Sequence, residues 1–239
     1  MGGGAWPFLV GGAICLVNSD NERDSRKSSQ IVTKFYRMFI RAVLFLVISS
    51  ACCHAYTRNV VKTLRVYNGG RWGDWNPAQY CPHGQYATGY RLKIEGGQGR
   101  GDDTSMNGIE LVCGTKTQSS TGHTVTSKVG PWGSWYRSFT KCDQPEFLTS
   151  FNLQVERPVG KGDDTAANFV TFRCRHMFGG NEVELRQFPG HGFWGNFGGW
   201  STSCNGGSAI CGIETKVEGR QGGDDDTALN DVMFHCCDD

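Results

Sequence analysis

The stretch 161-KGDDTAANFVTFRC-174 runs from an acidic, glycine-led loop into an alternating segment that closes on a cysteine. The same phrase occurs earlier as 100-RGDDTSMNGIELVC-113 and later as 223-GDDDTALNDVMFHC-236. An active site is normally needed once, so a phrase used three times points first to architecture. Asp103, Asp164 and Asp226 recur at steps of 61 and 62 residues, and so do Asn107, Asn168 and Asn230. Cys81, Cys142 and Cys204 each stand 32 residues before the cysteine that closes their phrase. Each unit opens on a tryptophan turn: 72-WGDW-75, 132-WGSW-135, and 194-WGNF-197 followed by Trp200. The repeat units span about 68–115, 128–176 and 190–239.

Two segments of each unit alternate with the strand period. The first carries Tyr90, Leu92 and Ile94, then Phe151, Leu153 and Val155, then Ile213, Thr215 and Val217. Thr215 is the one weak core position among them. Their neighbours are polar: Arg91 and Lys93, Asn152 and Gln154, Glu214 and Lys216. The second segment carries Ile109, Leu111 and Cys113, Val170, Phe172 and Cys174, and Val232, Phe234 and Cys236. Each segment is therefore expected to have one buried and one wet face, as antiparallel sheets often do. One unit cannot hide its apolar face alone, so three sheets should surround a common core as a triangular prism. The fold class that follows is all-β, with pseudo-threefold symmetry.

The chain has 239 residues, with 24 basic against 23 acidic, a balance that leaves no footprint for nucleic acid or an anionic membrane. Its 34 glycines follow no period of three, and with 12% aromatic residues they suit short strands joined by tight turns. The segment 38-MFIRAVLFLVISSACCHA-55 places Arg41 before an apolar run and small residues before Ala55, the layout of a secretory signal peptide. Its apolar run is too short to span a bilayer, so no transmembrane anchor is expected in the mature chain. Met38 then reads as the start, with 1–37 an upstream extension expected to be disordered and 56–239 a single mature domain. The rival reading is a tail that keeps the protein inside the cell.

Removal of 38–55 and the extension leaves eight cysteines, an even number that suits disulfides in a secreted chain. The closing cysteine lies in the buried register, where a bridge would tie the end of one strand to the start of the unit's other strand. The repeat spacing favours Cys81–Cys113, Cys142–Cys174 and Cys204–Cys236, leaving Cys211 with Cys237. Exchange to Cys204–Cys237 and Cys211–Cys236 is the main rival, because Cys236 and Cys237 are adjacent. No C-x-x-C pair occurs, so zinc is not expected. Closing loops of this size stabilises a fold by about 3–4 kcal/mol each in the chain-entropy model.

The W-G-x-W turns, the cysteine pairs, G-D-D-T-A-x-N and the closing 234-FHCC-237 resemble the vitelline membrane outer layer protein I family over about residues 60–239. The third repeat departs with Asp224 where the others have Gly101 and Gly162, and the first with Ser105 and Met106 where alanine is usual. The resemblance implies a β-prism of three antiparallel Greek-key sheets. It also implies a secreted structural or barrier protein of an extracellular coat, with extracellular-matrix or egg-coat proteins as partners and no cofactor. The alternatives are a glycan-binding protein, or an enzyme of hydrolysis or transfer acting on N-acetylglucosamine-containing oligosaccharides.

Three sets of residues are candidates for function. The acidic loops suit turns whose side chains accept backbone N–H groups, with Asn107, Asn168 and Asn230 closing each loop from the strand side. Calcium, which wants roughly six to eight oxygens, is short of ligands there. Trp72, Trp75, Trp132, Trp135, Trp194 and Trp200 are expected to plug the ends of the core, with stacking on sugars as the alternative. The aromatic run 188-FPGHGFWGNFGGW-200 makes His191, Phe193, Trp194 and Trp200 the ligand-binding candidates. Glu95, Glu156 and Glu218, each a loop away from Asp103, Asp164 and Asp226, are the carboxylate pairs that glycosyl chemistry would need. Three equivalent pairs favour turn capping or salt bridges. His83, His123, His176, His191 and His235 show no metal-ligand spacing, and no metal site is expected.

Overall fold

The computed structural model describes residues 34, 36–40, 57–96, 105–157, 167–185, 194–219 and 227–239. The chain divides into two compact units, Met1–Tyr56 and Thr57–Asp239. In the first, residues 36–40 are helical, with Tyr36, Met38, Phe39 and Ile40 exposed. Among the described residues no helix is long and apolar enough to cross a membrane. The expectations for 1–33 and for most of 38–55 lie outside the described residues.

The second unit is built from strands. Its centre is three hairpins, each made by the two alternating segments of one repeat: β4 (Tyr86–Ile94) with β5 (Met106–Gly114), β9 (Glu146–Val155) with β10 (Ala167–His176), and β13 (Ala209–Val217) with β14 (Leu229–Cys237). Short strands extend each hairpin into a sheet. The first sheet runs β6 (Thr124–Val125), β5, β4, β7 (Ser134–Trp135), with β8 (Thr140–Lys141) also on β4. The second runs β11 (Val183–Leu185), β10, β9, β12 (Asn196–Trp200). The third runs β1 (Val60–Leu64), β14, β13, β2 (Asp74–Trp75), with β3 (Gln79–Tyr80) also on β13. Every pairing is antiparallel.

Sequence repeat and sheet do not coincide. The tryptophan turn that opens the second repeat supplies β7 to the first sheet, and that of the third repeat leads into β12 of the second sheet. The turn of the first repeat supplies β2 to the third sheet, which closes the ring. Each repeat is thus shared between two sheets.

Strands β4, β9 and β13 contact one another across the centre, as do β5, β10 and β14, so the three hairpins face a single core. At equivalent places the core holds Tyr90, Phe151 and Ile213 from the first segments and Leu111, Phe172 and Phe234 from the second, all fully buried. Their rings interlock: Tyr90 and Phe172 lie 4.6 Å apart, Phe151 and Phe234 4.8 Å, Phe172 and Phe234 5.0 Å, the last two edge to face. Tilted and edge contacts of this kind add to the roughly 1.5–3 kcal/mol that burying each such side chain contributes. Thr215, the weak position, is also fully buried; its hydroxyl donates to the Lys128 carbonyl at 2.7 Å, so the polar group is satisfied.

The wet-face expectation fails for β9. Asn152 and Gln154 are both 8% exposed, because the third repeat's turn lies over them. The Asn152 Oδ1 accepts from the Gly199 N–H at 3.0 Å, and Gln154 Nε2 donates to the Trp194 carbonyl at 2.9 Å.

The disulfides are Cys81–Cys113, Cys142–Cys174, Cys204–Cys236 and Cys211–Cys237, so the rival exchange in the third repeat is not taken. Their placement corrects the picture of a bridge inside one sheet. Cys81 donates its N–H to the Cys211 carbonyl on the third sheet yet bonds to Cys113 in the first. Cys142 is held by Thr88 on the first sheet and bonds into the second, and Cys204 is held by Thr149 on the second and bonds into the third. The three repeated bridges therefore tie the sheets to one another in a ring. Cys211–Cys237 alone lies within one sheet, between β13 and β14.

Candidate functional site

The repeated asparagine is the socket for the tryptophan turn. Asn107, Asn168 and Asn230 are fully buried at the start of β5, β10 and β14. Asn107 Oδ1 accepts the Trp132 backbone N–H at 3.1 Å, Asn168 that of Trp194 at 3.2 Å, and Asn230 that of Trp72 at 3.2 Å. The amide end faces the loop: Asn107 Nδ2 donates to the Ser105 carbonyl at 3.3 Å, and Asn230 Nδ2 to the Thr227 hydroxyl at 2.6 Å. An amide both accepts and donates, so one side chain closes its own loop and receives the turn of the next repeat.

The glycine of W-G-x-W is required by the same joint. Gly73, Gly133 and Gly195 have φ of 78°, 72° and 78°. A Cβ at any of them would be driven into backbone: of Val217 and Glu218, of Ile94 and Glu95, and of Val155 and Glu156 respectively. Only glycine combines that φ with so close an approach.

The three glutamates stand at these joints, where the first strand of each hairpin ends. Glu95 N–H donates to the Ser105 carbonyl and Glu218 N–H to that of Ala228, both at 2.8 Å. The Glu218 carboxylate accepts from the Thr227 hydroxyl at 2.5 Å, which is the turn-capping role. Their expected partners Asp103, Asp164 and Asp226 lie outside the described residues. Ser105 and Ala228, at the loop exits, have φ of 52° and 49°, so both loops enter their strands through a left-handed residue that is not glycine.

The tryptophans correct the end-plug expectation. None of the six is buried: Trp72 is 55% exposed, Trp194 46% and Trp75 39%, while Trp132, Trp135 and Trp200 are half-buried. The large side chains that do fill the interior are Tyr86, Tyr90 and five phenylalanines. Trp200 stacks under the Arg173 guanidinium at 3.8 Å, and Trp135 lies 5.5 Å from that of Arg91. Trp194 thus presents an open ring, whereas Trp200 has one face taken. His191 and Phe193 lie outside the described residues.

Glu182 shares the Arg173 guanidinium with Trp200. It accepts from Thr149 at 2.7 Å and lies 3.6 Å from Arg173. Burial pushes its pKa up, but the hydroxyls of Thr149 and Ser203 and the charges of Arg173 and Arg175 outweigh that and hold it below the usual range. On the third sheet, burial drives Asp231 up to about 6 against the Val232 N–H and the charges of Lys216 and Arg65. Burial pushes His235 down despite Glu214 at 3.3 Å. Among the described residues no group of three or more acidic, histidine or cysteine side chains could hold a metal ion.

The sheets, the ring of bridges and the threefold tryptophan joint define a disulfide-tied β-prism assembled from interlocked repeats. The chain belongs to the vitelline membrane outer layer protein I family, whose model matches residues 62–239. It is 43% identical over 188 residues to the human vitelline membrane outer layer protein 1 homolog, covering 78% of this chain and 88% of that one. The corresponding mouse homolog is 44% identical over 173 residues, covering 72% and 81%. Among solved structures, Calystegia sepium agglutinin matches with a TM-score of 0.45 at 11% identity, over 75% of this chain and 98% of that one. A mannose-specific jacalin-related lectin from Morus nigra in complex with mannose matches with 0.42 at 15% identity, over 76% and 96%. Likeness that distant bears on neither ligand nor activity.

Proposed function

We propose that this is a secreted structural protein of an extracellular coat, acting by durable association with coat proteins rather than by turnover. The observation that carries the reading is the ring of three bridges that joins every sheet to the next. Such staples persist in oxidising, extracellular surroundings and are rare in the cytosol. Membership in a family named for the outer layer of the vitelline membrane supports the same setting. The test has two steps. Cells expressing the whole chain are assayed for it in the medium, and the product is then incubated with isolated vitelline envelope. Release into the medium and retention through high-salt washes are expected; a product confined to the cells, or one that washes off, overturns the proposal.

A second reading, glycan binding, is favoured by the open indole rings of Trp72 and Trp194. Tryptophan fluorescence is its assay: a saturable shift with chito-oligosaccharides that grows with chain length supports it, and a flat titration removes it.

A further inference from the structure

Each repeat enters its first central strand through the same turn, set directly after a bridged cysteine. In the first the Gln85 N–H donates to the Pro82 carbonyl at 2.9 Å, in the second Glu146 to Asp143 at 2.8 Å, and in the third Ser208 to Asn205 at 3.1 Å. The third alone reads Asn-Gly, in 204-CNGGS-208. Asn-Gly is a reactive pair, because glycine has no side chain to keep its backbone nitrogen away from the preceding carboxamide carbon. The sequence holds three such pairs, and their surroundings differ. Asn107 is fully buried with both ends of its amide bonded, and a Cβ on Gly108 would meet Val129 at 2.7 Å. Asn68 is half-buried; its Nδ2 donates to the Leu153 carbonyl at 2.8 Å, and its Oδ1 is buried. Asn205 and Gly206 are both exposed, and among the described residues neither the Asn205 amide nor the Gly206 N–H has a hydrogen-bond partner.

We propose that Asn205 is a site of spontaneous deamidation, with water as the co-reactant, while the fold holds Asn68 and Asn107 intact. The Gly206 nitrogen attacks Asn205 Cγ and gives up its proton. The new C–N bond closes a cyclic imide, and the side-chain nitrogen leaves as ammonia. Water then adds to one of the two imide carbonyls and breaks its C–N bond, giving aspartate or isoaspartate. The net change consumes water and releases ammonia, with no oxidant or reductant. The site has room for the ring: a Cβ on Gly206 would meet nothing nearer than the Phe178 carbonyl at 3.7 Å. The two products differ in what the turn keeps. Aspartate reproduces the second repeat, where Asp143 holds the same place and accepts the same bond. Isoaspartate routes the main chain through the former side chain and adds a carbon to the turn. It also removes from the main chain the carbonyl that accepts the Ser208 N–H and, at 2.9 Å, the Ser208 hydroxyl. Either product sets a negative charge near Arg175, whose Nη2 lies 3.4 Å from the Asn205 carbonyl. The reaction does not depend on the coat reading; a protein that is not turned over would accumulate its products.

The experiment incubates the folded, oxidised full chain in mildly alkaline buffer made with water enriched in heavy oxygen. Peptides from a protease digest are then mapped by mass spectrometry. The label should enter the peptide carrying Asn205 and stay out of those carrying Asn68 and Asn107. The same chain, reduced and in denaturant, should label all three, which separates protection by the fold from a lack of intrinsic reactivity. Gly206→Ala places a Cβ where the structure leaves space, and should slow labelling at Asn205 several-fold without lowering the denaturant midpoint. An Asn205 that stays unlabelled in the folded chain, or that labels no faster than Asn68 and Asn107, overturns the proposal.

Discussion

Asn168 illustrates how much one side chain can decide. Asn168 is fully buried, and its Oδ1 accepts the Trp194 N–H in a part-buried bond. Removal leaves a desolvated donor unpaired, so Asn168→Ala should cost about 1–3 kcal/mol in a denaturant titration. Gly195→Ala forces a Cβ into the backbone of Val155 and Glu156 at a positive φ and should cost at least about 2 kcal/mol by the same assay. Asp231 and His235 set opposite pH slopes. The folded pKa of Asp231 is raised to about 6, so its contribution is full below about 4 and is lost as pH rises through about 6. The folded pKa of His235 is lowered, so its contribution is present above about 6.5 and is lost as pH falls from there. Asp231→Asn should therefore gain on the order of 2 kcal/mol at neutral pH and leave the His235 slope exposed, with stability falling on acidification. Denaturant midpoints between acid and neutral pH check both signs; a variant no more stable than wild type at neutral pH would contradict the assignment to Asp231.

At the scale of elements, the six central strands are legible because five-residue runs such as Tyr90–Ile94 and Ile109–Cys113 alternate and recur in every repeat. The paired residues Asp74–Trp75 and Ser134–Trp135 are too short to show any period, and their partner strands lie in another repeat. Recurrence therefore reveals the tryptophan turn but not the sheet it joins. For the same reason the recurring asparagine reads as a loop-closing residue, while its second bond crosses to a turn that no local pattern names. The polar alternation of β9 misleads because the cover over Asn152 and Gln154 comes from residues 194–199. Of the candidate site residues, the exposed Trp194 and the capping Glu218 fall within the described structure, whereas the aspartates do not. Bridges within and between sheets should also behave differently. Cys142→Ala with Cys174→Ala should lower stability by about 3 kcal/mol and loosen two sheets, seen as faster amide exchange in both β4 and β9. Cys211→Ala with Cys237→Ala should confine that loosening to β13 and β14.

For the molecule as a whole, the long-range pairing that closes the ring makes the prism an all-or-none object. Neither the third sheet nor the first repeat is complete without the other. Reduction of the oxidised protein should abolish all three joints together and give one cooperative loss of structure at a temperature well below that of the oxidised form, measured by circular dichroism. Stepwise loss, one sheet at a time, would contradict the interlocked arrangement.

The same bridges bear on proteolysis. Residues 97–104, 158–166 and 220–226 each fall between the two cysteines of a repeated bridge. A protease that cut the chain in any of these three segments would produce two polypeptides still joined by a covalent bond. A cut between Cys113 and Cys142, or between Cys174 and Cys204, has no bridge across it and would leave the pieces held by packing alone. Hydrolysis of the acidic loops would thus cost this protein a peptide bond without costing it a fragment.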